Sequence, residues 1–167
     1  DTKQSAFIKS DQMAAALRRR FAEHHVYLLD LLASPGSGKT STILATIEAL
    51  RDEFNIAVVE SEKASTADVE RIKAQGIAAV RVDVDSACCL DAEALSCAVD
   101  ELDFARLDLV IVENAGSLAR PADFDLGENA KAVILSVSEG DAKPLECPGA
   151  FRASQAVVLR SEEHTSE

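Results

Sequence analysis

The chain has 167 residues, a formal charge of −12 and 47% apolar residues, with no Trp and few other aromatics. That length suits one domain whose core is built from Ala, Val, Leu and Ile. The acidic balance argues against nucleic-acid binding and against docking on an anionic membrane, both of which need clustered Lys and Arg, and no apolar run approaches the roughly 20 residues of a membrane span.

The opening stretch "DTKQSAFIKSDQ" has no initiating Met and no apolar signal-peptide core. The expectation is a chain cut at this end and a cytoplasmic protein. The four cysteines (Cys88, Cys89, Cys97 and Cys147) read as cytosolic thiols or metal ligands rather than disulfides. Residues 11–24 have helical spacing, with Met13, Ala16, Leu17 and Phe21 on one face. "VYLLDLLA" (26–33) is a buried strand, "SPGSGKT" a loop, and from Thr40 to about Leu50 the apolar residues again recur at helical spacing.

"NIAVVE" (55–60) is a second strand, followed by a helix through Val69 and Ile72 with Ser65 and Asp68 as its capping box and Gly76 at its end. "IAAVRVDV" is a third strand, and Leu95, Ala98, Val99 and Leu102 mark another helix, with Asp91 as its candidate cap and Cys97 in its core. "LDLVIVEN" (107–114) is the most apolar strand; "PADFDLGENA" is loop; "KAVILSVSE" (131–139) and "SQAVVL" (154–159) are two further buried strands. Continuous apolar strands alternating with helices predict an α/β fold: a mostly parallel sheet with helices on both faces.

"ASPGSGKTS" lies between a strand and a helix, the setting that makes a glycine-rich string a phosphate loop. Gly36 and Gly38 let backbone N–H groups turn inward, and the helix N-terminus adds a favourable dipole. The candidate nucleotide-binding residues are Ser34, Pro35, Gly36, Ser37, Gly38, Lys39, Thr40 and Ser41. Lys39 is placed to reach the β- and γ-phosphates, and Thr40 to offer its hydroxyl to Mg²⁺. The strict eight-residue pattern asks for Gly at position 33, where this chain has Ala33.

The stretches "SPGSGKT", "DVERI" (68–72), "CLDAEAL" (89–95), "VIVENAGSLARPADFDLGE" (110–128) and "SVSEGDAKPLECP" (136–148) together resemble the HypB-type nickel-insertion GTPases that mature NiFe-hydrogenase, relatives of the urease accessory GTPase. The resemblance runs from about Asp11 to Leu159. It implies a P-loop fold and a slow GTPase that uses GTP and Mg²⁺, forms a homodimer when GTP is bound, and passes nickel to a hydrogenase precursor alongside other maturation factors. It further implies catalytic roles for Lys39, Glu113 and Gly116, the last as a γ-phosphate switch, and magnesium roles for Thr40, Glu62 and Glu113. Lys143 is a weaker candidate for contacts across the dimer.

This chain departs from the family at several positions. Ser61 and Glu62 replace the usual Gly-Asp. Cys88 matches the family's metal-site Cys, Cys89 stands where a His is usual, and Arg120 replaces a further Cys. Cys88 and Cys89, duplicated across a dimer axis, would offer sulfur ligands to Ni²⁺ or Zn²⁺. The alternative is a nucleotide-gated dimerisation protein whose metal site is degenerate. A P-loop small-molecule kinase ranks below both.

The resemblance also predicts Asn-Lys-x-Asp after Leu159, to read guanine. The chain instead continues "RSEEHTSE", the translation of a common sequencing-adapter string. Residues 1–159 are therefore expected to be a C-terminally truncated GTPase domain, and 160–167 a foreign tail. Without that tail the formal charge is −10, by removal of one Arg and three Glu from the −12 total. Guanine preference rests on the resemblance, and tight nucleotide binding is not expected of these residues alone.

Overall fold

The computed structural model describes residues 2–61, 66–82, 90–115, 118 and 125–161, with the side chains of residues 2–8, 61, 66 and 115 left aside. Strands and helices alternate: α1 (Thr2–Glu23), β1 (Tyr27–Ala33), α2 (Lys39–Leu50), β2 (Ile56–Ser61), α3 (Thr66–Lys73), β3 (Ala78–Val82), α4 (Ala92–Val99), β4 (Leu109–Ala115), β5 (Ala130–Ser136), α5 (Lys143–Glu146), α6 (Pro148–Ala153) and β6 (Ala156–Arg160). The six strands form one sheet in the order β3-β2-β4-β1-β5-β6, and every pairing is parallel. Central parallel strands are buried on both faces, which is why β1, β2 and β4 read as unbroken apolar runs.

Two apolar layers flank the sheet. On one face Ala14, Leu17 and Phe21 of α1 and Leu95, Ala98 and Val99 of α4 pack on Leu28, Val59, Val110 and Val112. On the other, Ile43 and Ile47 of α2 and Val69 and Ile72 of α3 cover Leu31, Val58 and Ile111. The expected helix at 11–24 begins earlier, at Thr2, since no Gly or Pro interrupts the chain before Pro35. α4 is capped as expected: the Asp91 carboxylate accepts the Ala94 N–H at 2.8 Å.

Three expectations need correction. The "SQAVVL" strand is not buried: Val157 is 47% exposed and Leu159 71%. Among the described residues β6 is an edge strand paired with β5, and Ala156 to Leu159 are all exposed. Cys97 is exposed rather than core, because Leu95, Ala98 and Val99 already define the buried face of α4 and Cys97 falls on the opposite side. The strand expected over 131–139 stops at Ser136, where a 3₁₀ turn begins at Val137 with Ser136 and Glu139 as a reciprocal capping box.

The connections fix where a ligand can sit. From β1 the chain crosses to β2 and β3, returns to β4 beside β1, then passes to β5 on the far side of β1. Loops leaving in opposite directions open a crevice at the carboxyl end of β1, the usual ligand position in such sheets. The register aligns Ala33 with both Ala115 and Ile134 at that end.

Candidate functional site

The loop after β1 occupies that crevice. Ser37 N–H donates to the Ser34 carbonyl at 3.2 Å, closing the turn. Gly36 and Gly38 have φ of 78° and 83°, in the left-handed region that favours glycine. Gly38 caps α2, and both the Thr42 N–H and the Thr42 hydroxyl donate to its carbonyl at 3.0 Å. Ala33 lies inside β1, paired on both sides, and its φ is not positive. Glycine is therefore not demanded at that position, which explains the departure from the strict pattern.

Two observations show that this loop suits an anion. Lys39 is 9% exposed, and among the described residues its ammonium donates only to the Ser34 carbonyl, at 3.4 Å. The Ser37 hydroxyl is buried and has no hydrogen-bond partner among the described residues. A buried cation without a counter-ion and an orphaned hydroxyl, both at a helix N-terminus, are the donor set a phosphate would satisfy. The Arg160 guanidinium lies over the loop: it approaches the Ser37 carbonyl at 3.5 Å, and a Cβ added to Gly38 would land on it.

Glu113 sits near the end of β4, 5% exposed, with the Thr40 hydroxyl 3.5 Å from each of its oxygens. In the parallel register Glu113 lies beside Leu31 on one side and Glu60 on the other. Glu60 is fully buried, and burial raises its pKa to about 7, with the Glu113 and Asp68 carboxylates pushing the same way and Arg81 against them. A hydroxyl and two carboxyls at one end of the sheet make an all-oxygen donor set, the kind Mg²⁺ prefers. Among Thr40, Glu62 and Glu113, the structure therefore brings Thr40 and Glu113 together.

The opposite face carries a different charged cluster. Lys131 Nζ lies 3.1 Å from Asp30 and 2.7 Å from Glu128, and Asp30 is wholly buried. Burial raises Asp30 to about 6 despite Lys131, and the nearby Glu128 adds to the rise. Burial pulls Lys131 down, but Asp30 and Glu128 outweigh it and its pKa rises. The two ends thus shift in opposite thermodynamic senses. Geometry decides in favour of an ionised pair at neutral pH, with Asp30 strained by complete burial. Next to this cluster, Asp125 accepts two bonds from Arg18 of α1, at 2.6 and 2.8 Å, and the Gly127 N–H at 2.8 Å. These contacts fasten the "DLGE" end of the family-like loop to α1 and the sheet.

Glu62, Cys88, Cys89, Gly116 and Arg120 lie outside the described residues. Among the described residues, no group of three or more His, Cys, Asp and Glu is placed to hold a metal. His24 and His25 are exposed at the α1–β1 junction. Lys143 is near Glu146 at 3.7 Å and Glu139 at 3.9 Å. Sequence reasoning missed Glu60 and the Asp30–Lys131–Glu128 cluster. The available signal was a charged residue inside or closing an otherwise apolar strand.

Residues 29–138 match the CobW/HypB/UreG nucleotide-binding domain family. The hydrogenase maturation factor HypB of Azotobacter vinelandii is 42% identical over 151 residues, which is 90% of this chain and 50% of that protein. The chain thus spans about half the length of the curated relatives it matches. The crystal structure of HypB from Archaeoglobus fulgidus superposes with a TM-score of 0.85 at 34% identity, covering 91% of this chain and 74% of that one. HypB from Helicobacter pylori in complex with nickel superposes with a TM-score of 0.83 at 35% identity, covering 90% and 71%. A shared fold, a phosphate loop in the same family segment and identity at this level over nine-tenths of the chain agree: the chain belongs to the CobW/HypB/UreG family, among its HypB members.

Proposed function

We propose that this chain is the nucleotide-binding part of a GTP-hydrolysing nickel metallochaperone that acts in hydrogenase maturation. The observation that carries the reading is the buried Lys39 ammonium, without a counter-ion among the described residues, set in a glycine-shaped loop beside Thr40 and Glu113. HypB relatives, one of them solved with nickel, supply the client class and the cargo.

Lys39 and the loop N–H groups hold the phosphates and favour charge spreading onto the terminal phosphoryl oxygens. The Thr40 hydroxyl and the Glu113 carboxylate would hold Mg²⁺, which supplies neutralisation of phosphate charge when bound. Glu113, at a strand end and nearly excluded from solvent, fixes the donor side of the site. Gly116, one residue past β4, is the candidate sensor of the third phosphate, since a backbone N–H there can report its presence. Guanine as the base, a GTP-dependent homodimer, contacts with other maturation factors and a hydrogenase precursor, and a cytoplasmic setting belong to the same proposal. They are supported by family membership, and no described helix is long and apolar enough to cross a membrane. The reading of residues 160–167 as a foreign tail after a domain at 1–159 is supported by the sequence of that tail.

Fluorescence titration with a labelled GDP tests the core of this reading. Lys39→Ala should abolish binding; unchanged affinity would overturn the loop assignment. Cargo handling depends on Cys88 and Cys89, with Ni²⁺ or Zn²⁺ as the metal carried. Arg120, standing where the family has a ligating Cys, favours a second reading, a nucleotide-gated dimerisation protein with a degenerate metal site. Equilibrium dialysis with each metal separates the two. Micromolar binding lost in Cys88→Ser supports a chaperone, and no binding by the parent chain supports the second reading.

A further inference from the structure

The phosphate loop, Thr40 and Glu113 account for one side of the crevice and leave a third buried polar group beside them. Glu60 lies near the end of β2, fully buried, and neither of its carboxyl oxygens has a hydrogen-bond partner among the described residues. A buried carboxyl normally finds a partner, because leaving it unpaired is expensive. A strand that needed only to pack would place an aliphatic residue there, as it does at Ile56 and Val58 on the same face.

The neighbours in the sheet do not explain it. On one side the in-register residue is Glu113, a second acid; on the other it is Arg81 of the edge strand, which makes no hydrogen bond to either oxygen. The grouping does make sense toward a hard divalent cation. Mg²⁺ takes oxygen donors only, uses one or two carboxylates with the nucleotide's phosphates, and keeps several waters. Thr40 touches Glu113, while Glu60 lies one strand farther from β1, and strands are spaced about 4.8 Å apart. An ion that takes oxygens from Thr40, Glu113 and the phosphates and keeps several waters leaves a neighbouring carboxylate to act through water.

We propose that Glu60 is a positioning residue of the nucleotide's magnesium site, accepting hydrogen bonds from water on the cation held by Thr40 and Glu113. The proposal rests on the nucleotide and magnesium reading above. Its test is a Mg²⁺ titration of labelled-GDP binding to the full chain, with a parallel measurement in EDTA, for the parent chain, Glu60→Gln and Glu60→Asp. Glu60→Gln should raise the Mg²⁺ concentration for half-maximal effect by about tenfold or more, the usual consequence of losing an outer-shell partner. Its affinity in EDTA should stay within about twofold of the parent, and Glu60→Asp should fall between. Circular dichroism on all three chains establishes folding, and if Glu60→Gln is not folded, Glu60→Asp alone must show the raised Mg²⁺ requirement. A Mg²⁺ response like the parent's, or an equal loss with and without Mg²⁺, overturns the role of Glu60 alone. Weak binding is expected of this chain, so the titration runs to millimolar nucleotide; a parent chain with no binding there, or with no Mg²⁺ dependence, overturns the nucleotide reading as well.

Discussion

Gly127 offers a sharp test of how the loop before β5 is held against α1. Its φ is 79°, and a Cβ built there would lie 2.5 Å from the Ala14 carbonyl oxygen and 2.8 Å from the Arg18 nitrogen. Both are backbone atoms of a helix whose Ala14, Leu17 and Phe21 are locked into the core. Gly76 is the natural control: its φ is also 79°, but a Cβ there meets nothing within 4 Å. Alanine at either position suffers the left-handed penalty of about 1–2 kcal/mol. At position 127 overpacking adds about 1–3 kcal/mol, because backbone cannot rotate away as a side chain can. Gly76→Ala should therefore lower stability by about 1–2 kcal/mol, and Gly127→Ala by about 2–5 kcal/mol. Urea denaturation followed by far-ultraviolet circular dichroism reads both values. Equal losses in the two variants would refute the close packing of α1 on this loop.

The buried pair gives a pH prediction. The Asp30 pKa in the folded chain is about 6, above its ordinary 3.8, so it contributes stability that is complete below about pH 4 and lost as pH rises through about 6. Asp30→Asn should flatten that fall and leave the chain more stable at pH 8, by at most about 3 kcal/mol, because Lys131 keeps Glu128 at 2.7 Å. Denaturation at several pH values reads it; a variant less stable at pH 8 with the slope intact would show that Asp30 stabilises the fold. Truncation in β5 and β6 should separate clearly: Ile134→Ala, fully buried, should cost about 2–5 kcal/mol, and Leu159→Ser, 71% exposed, about 0.5 kcal/mol or less. Thermal melts of the two variants check this, and similar shifts would contradict the exposure of β6.

Local patterns made most of the fold legible. The alternation of strands and helices followed from apolar runs and helical spacing, and Gly-Lys-Thr after a strand marked the phosphate loop before any contact was known. What was missed depends on partners distant in sequence. Glu113 stands beside Glu60 only through the β2–β4 register, and Lys131 meets Asp30 across a separation of 101 residues. The apolar run of β6 signalled a strand correctly, but burial depends on what covers a strand, which its own residues do not encode. Residues 140–153 carry no helical spacing long enough to predict an element, yet α5 and α6 form there with Pro144 and Pro148 in their first turns, where proline is well tolerated.

The two faces of the sheet use buried acids in opposite ways, and the contrast separates support from chemistry. Asp30 lies in the middle of β1, between β4 and β5, and Lys131 closes it off within the protein. Lys131 fixes β5 against β1 through Asp30 Oδ2 and, through Glu128, holds the loop that precedes β5. Glu60 and Glu113 lie at the carboxyl ends of β2 and β4, on the face of α2, and Glu113 adds to the burial that makes Glu60 harder to ionise. A second acid beside Glu113 opposes folding rather than assisting it, and the in-register Arg81 offsets this only in part, leaving Glu60 raised to about 7. The arrangement becomes favourable when a cation arrives from outside, and it stands beside the buried Lys39 and orphaned Ser37 hydroxyl that await an anion. Positive and negative ligand charges arriving together, as in a magnesium nucleotide, satisfy both halves of the site at once.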